Sequence, residues 1–388
     1  MRTLSKASAV AVVLLGSAAA QERPEVTPLD AIEAAARQGM DATGAKGLAF
    51  GFVEDGEVVG VRVLGDRNAD GEPLTGRTVM YGASLTKAAF AYMVVQLAEE
   101  GVIDLDEPIP TYLSEPLTAY DGDPWVYAPY ATLAGDDRWR RITPRMLLMH
   151  SAGFANFWFL EPDRGLHIHF EPGSRYAYSG DGFILMQYVL EKGLGLDVGE
   201  EMDARVFEPL GMTRTGMIWR EDFADDLADG WTMEGEPVPH DDRSKVRAAG
   251  SMDTTITDVA RFAAGLVRCE NLSSDSCAQL TAPSLPITTP AQFPTLTEEL
   301  PADERRADLS AGLGVVTFEG PQGPAFYKGG HDENTGNTLV CLKERRDCVV
   351  ILSNDVRAEA AFPSIVEAAL GETGAPWAWE YSSLKLER

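Results

Sequence analysis

The stretch Tyr81-Gly82-Ala83-Ser84-Leu85-Thr86-Lys87 runs on through Ala88-Ala89-Phe90-Ala91-Tyr92-Met93-Val94-Val95-Gln96-Leu97 until Gly101 ends it. Apolar residues fill most positions between Ser84 and Glu100, so the run predicts a helix that is apolar on nearly all sides and central to the fold. Ser84 and Lys87 stand three residues apart at its start, on one face, with Cβ atoms about 5–6 Å apart. A hydroxyl therefore meets an amine. The first turn lies at the positive end of the helix dipole, and Ala88, Ala89 and Phe90 exclude water, so both effects disfavour the charged lysine. That is how a lysine becomes a usable base for a serine nucleophile. Ser382 and Lys385 repeat the spacing without a helix start or apolar surroundings, and it is the buried setting that singles out Ser84.

Strand signals flank this helix at both ends of the chain. Leu48 to Leu64 reads as a β-hairpin, with Phe50 and Phe52 alternating, Asp55-Gly56 at the turn and Val59, Val61 and Val63 alternating again. Strands return at Leu313–Phe318, Phe326–Lys328, Asn337–Leu342 and Cys348–Leu352, followed by a helix from about Ala358 to Leu370. Between the two blocks the patterns are helical: Thr143-Pro144 starts a helix through Met149, Phe183 to Glu191 forms another, and Thr255 with Asp258 opens one before Val259–Val267. The Pro- and Thr-rich stretch 282–301 is expected to wrap the surface. The order predicts an α+β fold whose antiparallel sheet is built from both termini, flanked by helices, with a mostly helical subdomain inserted. The sheet part is expected over about 40–82 plus 305–375 and the insertion over about 83–304.

The chain has 388 residues, 33 Lys+Arg against 60 Asp+Glu, and a formal net charge of -27. Such a surface repels nucleic acid and anionic lipid, which argues against those partners. Residues 1–20 read as a secretory signal, with Arg2 and Lys6, an apolar run from Ala7 to Leu15, and Ala18-Ala19-Ala20 before Gln21; the domain is then 21–388. No Cys stands directly after the cleavage point, and no later run is long and apolar enough to span a membrane, so a periplasmic or secreted protein is expected. Of the three pairings open to Cys269, Cys277, Cys341 and Cys348, an oxidising compartment and the short spacings favour Cys269–Cys277 and Cys341–Cys348.

With the nucleophile segment and its neighbours in hand, the chain resembles the serine β-lactamase and penicillin-binding protein superfamily, in the branch with class C enzymes, DD-carboxypeptidases and related esterases. The segment 81–87 looks like the nucleophile motif. Gly101–Asp106, Ile142–Gly153, Phe170-Glu171-Pro172-Gly173, Phe207–Met212 and Ala249-Gly250-Ser251-Met252 resemble family segments in the expected order. The resemblance implies a β-lactamase/transpeptidase-like fold over most of the chain. Tyr178-Ser179-Gly180 stands where the family has Tyr-x-Asn, giving Tyr178 a part in proton transfer. A phenol serves as a base only where cations favour the phenolate, a field that Lys87 and a third-motif lysine would supply. Lys328-Gly329-Gly330 matches the third motif, and the resemblance implies an oxyanion hole from the backbone N–H groups of Ser84 and His331. An alternative register gives His331 itself the cationic role. Gly180 and Gly329 depart from the family by lacking an amide and a hydroxyl that bind substrate.

The resemblance thus implies an exported serine hydrolase acting through an acyl-enzyme, with Ser84, Lys87 and Tyr178 catalytic and no metal or organic cofactor. Candidate substrates are a small ester, a D-amino-acid amide or D-Ala-terminated peptide, and a β-lactam. The rival of another class is a catalytically silent cell-wall or ligand-binding module that keeps the fold. Small-molecule or peptide partners are implied either way. His167-x-His169 lacks a third ligand cluster and reads as structural. His150 is also read as structural, and Asp332, Glu333 and Asp355 are expected to be solvated. Ser353-Asn354-Asp355 follows the last strand and is not a Ser-Asp-Asn motif. Trp125, Tyr127, Tyr130, Phe157, Trp158 and Phe159 either line a cleft or fill core.

Overall fold

A computed structural model describes residues 29–382; the expected signal segment 1–20 and Lys385 lie outside them. The hairpin forms from β1 (Gly47–Glu54) and β2 (Glu57–Gly65), joined through Asp55 and Gly56. Both turn residues have positive φ, 47° and 81°, which matches the twist of the strands they link. Six more strands complete an antiparallel sheet: β3 (Leu285–Pro286), β4 (Ser310–Ala311), β5 (Val316–Gly320), β6 (Gly323–His331), β7 (Gly336–Leu342) and β8 (Asp347–Ser353). Their order is β2-β1-β8-β7-β6-β5-β4-β3, so the last strand of the chain sits beside the first. The register Phe50 to Ile351 and Phe52 to Val349 fixes that seam.

Helices flank the sheet, and the fold is α+β. Helix α1 (Leu29–Thr43) packs on β1 and β2 and against the late helix Phe362–Leu370. Helix α2 (Thr86–Glu99) follows a 3-10 turn over Ala83–Leu85 and is buried from Thr86 to Leu97, because its apolar positions leave no polar face to present to water. Helices α3 (Pro144–Leu148) and α4 (Gly180–Tyr188) pack against each other, and α5 (Ile256–Arg268) packs on β1 and β8. Thr143 and Thr255 cap α3 and α5 by accepting from Met146 N and Asp258 N. The reciprocal half of a capping box is absent from α5: the Asp258 carboxylate instead accepts from Arg214 N at 2.7 Å.

Several expectations need correcting. The stretch 282–301 does not only wrap the surface: Leu285–Pro286 forms the far edge strand, and Ile287, Thr289 and Gln292 are buried. Asp355 is not solvated. It is fully buried, receives Lys46 N at 2.9 Å and holds the Arg357 guanidinium at 2.6 Å, tying the end of β8 to the start of β1. The late helix begins at Phe362, after a 3-10 segment Val356–Ala361. Cys341 and Cys348 face each other across β7 and β8 and are bonded, as are Cys269, at the end of α5, and Cys277. Among the described residues no helix is long and apolar enough to cross a membrane.

Candidate active site

The site begins with the turn that enters α2. Gly82 N donates to Met252 O, and Thr86 Oγ1 both donates to Ala83 O at 2.6 Å and accepts from Met252 N. These bonds hold Ala83 at φ 46°, a left-handed conformation that a residue with a Cβ rarely takes, and they present Ser84 beyond it, partly exposed. Strand β6 is drawn close here, for a Cβ on Gly330 would stand 2.8 Å from Leu85 N and 3.1 Å from Ser84 N. Only glycine permits that approach.

Lys87 Nζ lies 2.9 Å from Ser84 Oγ and donates to Ala249 O at 2.5 Å. Burial, followed by the charges of Lys328 and Arg247, holds its pKa well below the usual lysine range. The Tyr178 hydroxyl donates to Ser84 Oγ at 2.8 Å. Contrary to the expected phenolate, burial pushes the Tyr178 pKa up; the bond to Ser84 works against this, and Glu380 and Tyr81 add to it. The seryl oxygen thus has a proton donor on one side and an amine on the other.

The turn after Tyr178 is pinned by the loop 155–158. Ser179 caps α4, its Oγ accepting from Gly182 N and donating to Ala155 O, while Gly180 N donates to Asn156 Oδ1. Trp158 N donates to Asp181 at 2.5 Å. Burial raises the Asp181 carboxyl to about 8, with that bond and the charge of Arg247 opposing. This pinning lays the Phe157 ring over Gly180, where a Cβ would stand 2.3 Å from Phe157 Cε1. His150 is buried and stacked on Tyr178, with ring centroids 4.4 Å apart, and its Nδ1 accepts from Ser179 N at 3.0 Å.

Lys328, Gly329, Gly330 and His331 lie on β6. Lys328 is buried with its Nζ over the Tyr178 ring at 5.2 Å; burial lowers its pKa to about 8, with Glu380 pulling it up. His331 is partly exposed, its Nδ1 3.2 Å from Glu359. Burial disfavours its charge, but Glu359 and Glu380 outweigh this and hold the imidazole above its usual range. Lys328 rather than His331 faces Tyr178. Sequence reasoning missed Glu380, which is buried and accepts from Tyr327 at 2.9 Å and from Gln292 at 2.6 Å. A Cβ on Gly329 would stand 2.1 Å from Glu380 Oε1, so the absence of a side chain at 329 was the one sequence signal of its presence.

An open cleft of about 540 Å³ leads to Ser84, lined by Tyr81, Phe157, Arg243, Lys245, Arg247 and His331 among others. Phe293, from the segment expected on the surface, packs on Tyr178 at 5.3 Å and on His331 at 5.5 Å, and covers that side. The aromatic group divides between its two expected roles. Tyr127 and Tyr130 join Tyr120 and Tyr188 in the core, whereas Trp125, Phe157, Trp158 and Phe159 form a stack beside the cleft. His167 and His169 pair with Asp163 and Glu161, and no group of three or more metal-ligating side chains occurs among the described residues. The Ser382 hydroxyl donates to Phe293 O and takes no part in the constellation.

The model of the family described as Beta-lactamase matches residues 32–370. The esterase EstB of Burkholderia gladioli is 28% identical over 259 residues, covering 57% of this chain and 60% of that protein. A human beta-lactamase-like protein is 27% identical over 253 residues, 62% of this chain and 49% of its own length, so the chain spans less than two thirds of these relatives. The octameric penicillin-binding protein homologue of Pyrococcus abyssi superposes with a TM-score of 0.69 at 19% identity, covering 89% of this chain and 78% of that one. The D-alanine carboxypeptidase AmpC of Burkholderia cenocepacia gives 0.68 at 17% identity, covering 87% and 98%. These likenesses establish the fold.

Proposed function

The chain belongs to the Beta-lactamase family, and from that premise we propose that it is a serine hydrolase that forms an acyl-enzyme on Ser84. The observation that carries the reading is the convergence on Ser84 Oγ of Tyr178 at 2.8 Å and Lys87 at 2.9 Å. Tyr178 donates to the seryl oxygen, which leaves the seryl proton directed to the Lys87 amine, and the lowered pKa of Lys87 favours the neutral amine with its lone pair. Attack on a carbonyl passes the seryl proton to Lys87. Tyr178, a phenol held protonated by burial, then protonates the leaving group. Lys328 behind the Tyr178 ring favours the phenolate that persists until the acyl group leaves. The backbone N–H groups of Ser84 and His331 take the oxyanion role, and water releases the acyl group, giving one proton to the Tyr178 phenolate while Lys87 returns its proton to the Ser84 oxygen. Export to the periplasm or medium belongs to the same reading, supported by the residue 1–20 pattern and the two bonded cysteine pairs.

The substrate reading is a small ester in preference to a β-lactam or D-alanyl peptide. Phe157 fills the place of an amide at 180, and Glu380 the place of a hydroxyl side chain at 329, so both polar contacts to such substrates are replaced. EstB, an esterase by name, is among the relatives. The test is covalent labelling by a fluorophosphonate followed by intact mass, with kcat/KM for p-nitrophenyl butyrate, a D-alanyl amide and nitrocefin. Ser84→Ala should end labelling while keeping the fold, and Lys87→Ala and Tyr178→Phe should lose it too. Undiminished labelling of Ser84→Ala would overturn the reading. A nitrocefin value far above the others would overturn the substrate preference alone, and a fold that binds but never labels would favour the silent module.

A further inference from the structure

The cations around the cleft are not equivalent. The Arg243 guanidinium lies over the Tyr81 ring at 3.5 Å and donates to Asp253 at 3.0 Å, with Asp241 at 4.0 Å, so its charge is compensated. Lys245 is solvent-exposed and 3.8 Å from Asp123, where water and salt screen it. Asp242 and Asp332 also line the cleft and are exposed. Arg247 is different: it is partly buried, no carboxylate lies within 4 Å of it among the described residues, and its guanidinium donates only to the Trp125 carbonyl at 2.7 Å. The buried acid whose field it feels, Asp181, is mostly protonated at neutral pH. A planar fork with its charge uncancelled thus faces the cleft.

Its position relative to Ser84 is fixed. Arg247 O accepts from Gly250 N and Ser251 N, and Ser251 Oγ accepts from Arg247 N, which locks a tight turn. Two residues on, Ala249 O takes the Lys87 amine that touches Ser84. Two peptide units bound the separation of those Cα atoms at about 7.6 Å. With Phe293 covering the Tyr178 side, the acyl group of a substrate is left to extend toward Phe157 and Arg247.

We propose that Arg247 recognises a carboxylate at the far end of the acyl group, so that the site takes half-esters of short dicarboxylic acids or acyl groups of that chemistry. The inference rests on the acyl-enzyme reading and names its substrate class. Arg fits a carboxylate through two parallel N–H groups, which a lysine does not reproduce. Phe157, which lines the cleft together with Arg247, suits the methylene chain between carbonyl and carboxylate, since an apolar wall takes the chain out of water.

The test is kcat/KM for p-nitrophenyl hemiglutarate and p-nitrophenyl butyrate, each corrected for its uncatalysed rate, with the native protein, Arg247→Met and Arg247→Lys. The native protein should favour the hemiglutarate. Arg247→Met should lower the ratio of the two values about tenfold to a hundredfold by removing a charge-assisted contact, and Arg247→Lys should restore part of it. Added salt should lower the native ratio and leave that of Arg247→Met unchanged. Equal losses for both esters, or a native preference for butyrate, would overturn the inference while leaving the hydrolase reading intact. Hydrolysis of neither ester, with no labelling of Ser84, would sink both.

Discussion

The ring of Phe157 stands in the space that a side chain on Gly180 would need, 2.3 Å from an added Cβ. Placing Asn there should therefore not create an amide contact to substrate. Gly180→Asn should lower stability by about 1–3 kcal/mol through overpacking. Paired with Phe157→Ala it should recover most of that loss, and only the double variant should gain on nitrocefin. Thermal denaturation of the two single variants and the double variant would show the coupling; additive losses would mean the two sites do not meet.

The acid and alkaline limbs of kcat/KM should belong to different lysines. Lys87 must be neutral to accept a proton, and burial, with the charges of Lys328 and Arg247, moves that rise well below the usual lysine range. Lys328 loses its charge as pH rises through about 8, and activity should fall there because the cation behind Tyr178 is lost. Lys328→Arg should lift the falling limb to higher pH, since a guanidinium keeps its proton. Glu380→Gln keeps an acceptor for Tyr327 but removes the charge that raises the Lys328 pKa, so it should move the same limb to lower pH. A profile unchanged in both variants would remove Lys328 from the mechanism.

Asp181 should make the fold sensitive to base. Its carboxyl is raised to about 8 from an unfolded value near 3.8, so the folded state holds the proton more tightly. The stability it contributes is complete below about 4 and is lost as pH rises toward 8, after which the dependence levels off. Asp181→Asn keeps an oxygen for Trp158 N and cannot ionise. Melting temperature against pH between 4 and 9 should fall less steeply in the variant; parallel curves would contradict the burial of that carboxyl.

Peptide mapping without reductant should recover Cys269 with Cys277 and Cys341 with Cys348. Each bond closes a loop of fewer than ten residues, for which chain entropy gives about 2–3 kcal/mol. Cys341→Ala with Cys348→Ala should lose roughly that much and no more, because the paired strands keep their backbone ladder. Free thiols or crossed pairs would refute the assignment.

The hairpin, the buried helix and the later strands were legible because their side chains repeat with the period of the element they form. Ser84 and Lys87 were legible because they stand three residues apart across the turn that enters one buried helix. Glu380, Phe293 and Arg247 were not, since each reaches the site from a segment distant in sequence and carries no local pattern. Asp355 was misread because its partner Lys46 N lies 309 residues away. Tyr178 lies beside Ser84, but its protonation depends on burial, which the spacing of residues does not report.

The seam between β1 and β8 sets the order in which the molecule can be made. Gly47–Glu54 leaves the ribosome some 300 residues before Asp347–Ser353, the strand it must pair with on its inner side. Until then the hairpin carries an unpaired apolar edge, open to any other extended chain. Sheet closure must await nearly complete synthesis, and contacts that distant in sequence form slowly. Chains truncated before residue 347 should accordingly be the aggregating and protease-sensitive species, whatever the state of the nucleophile helix they already contain.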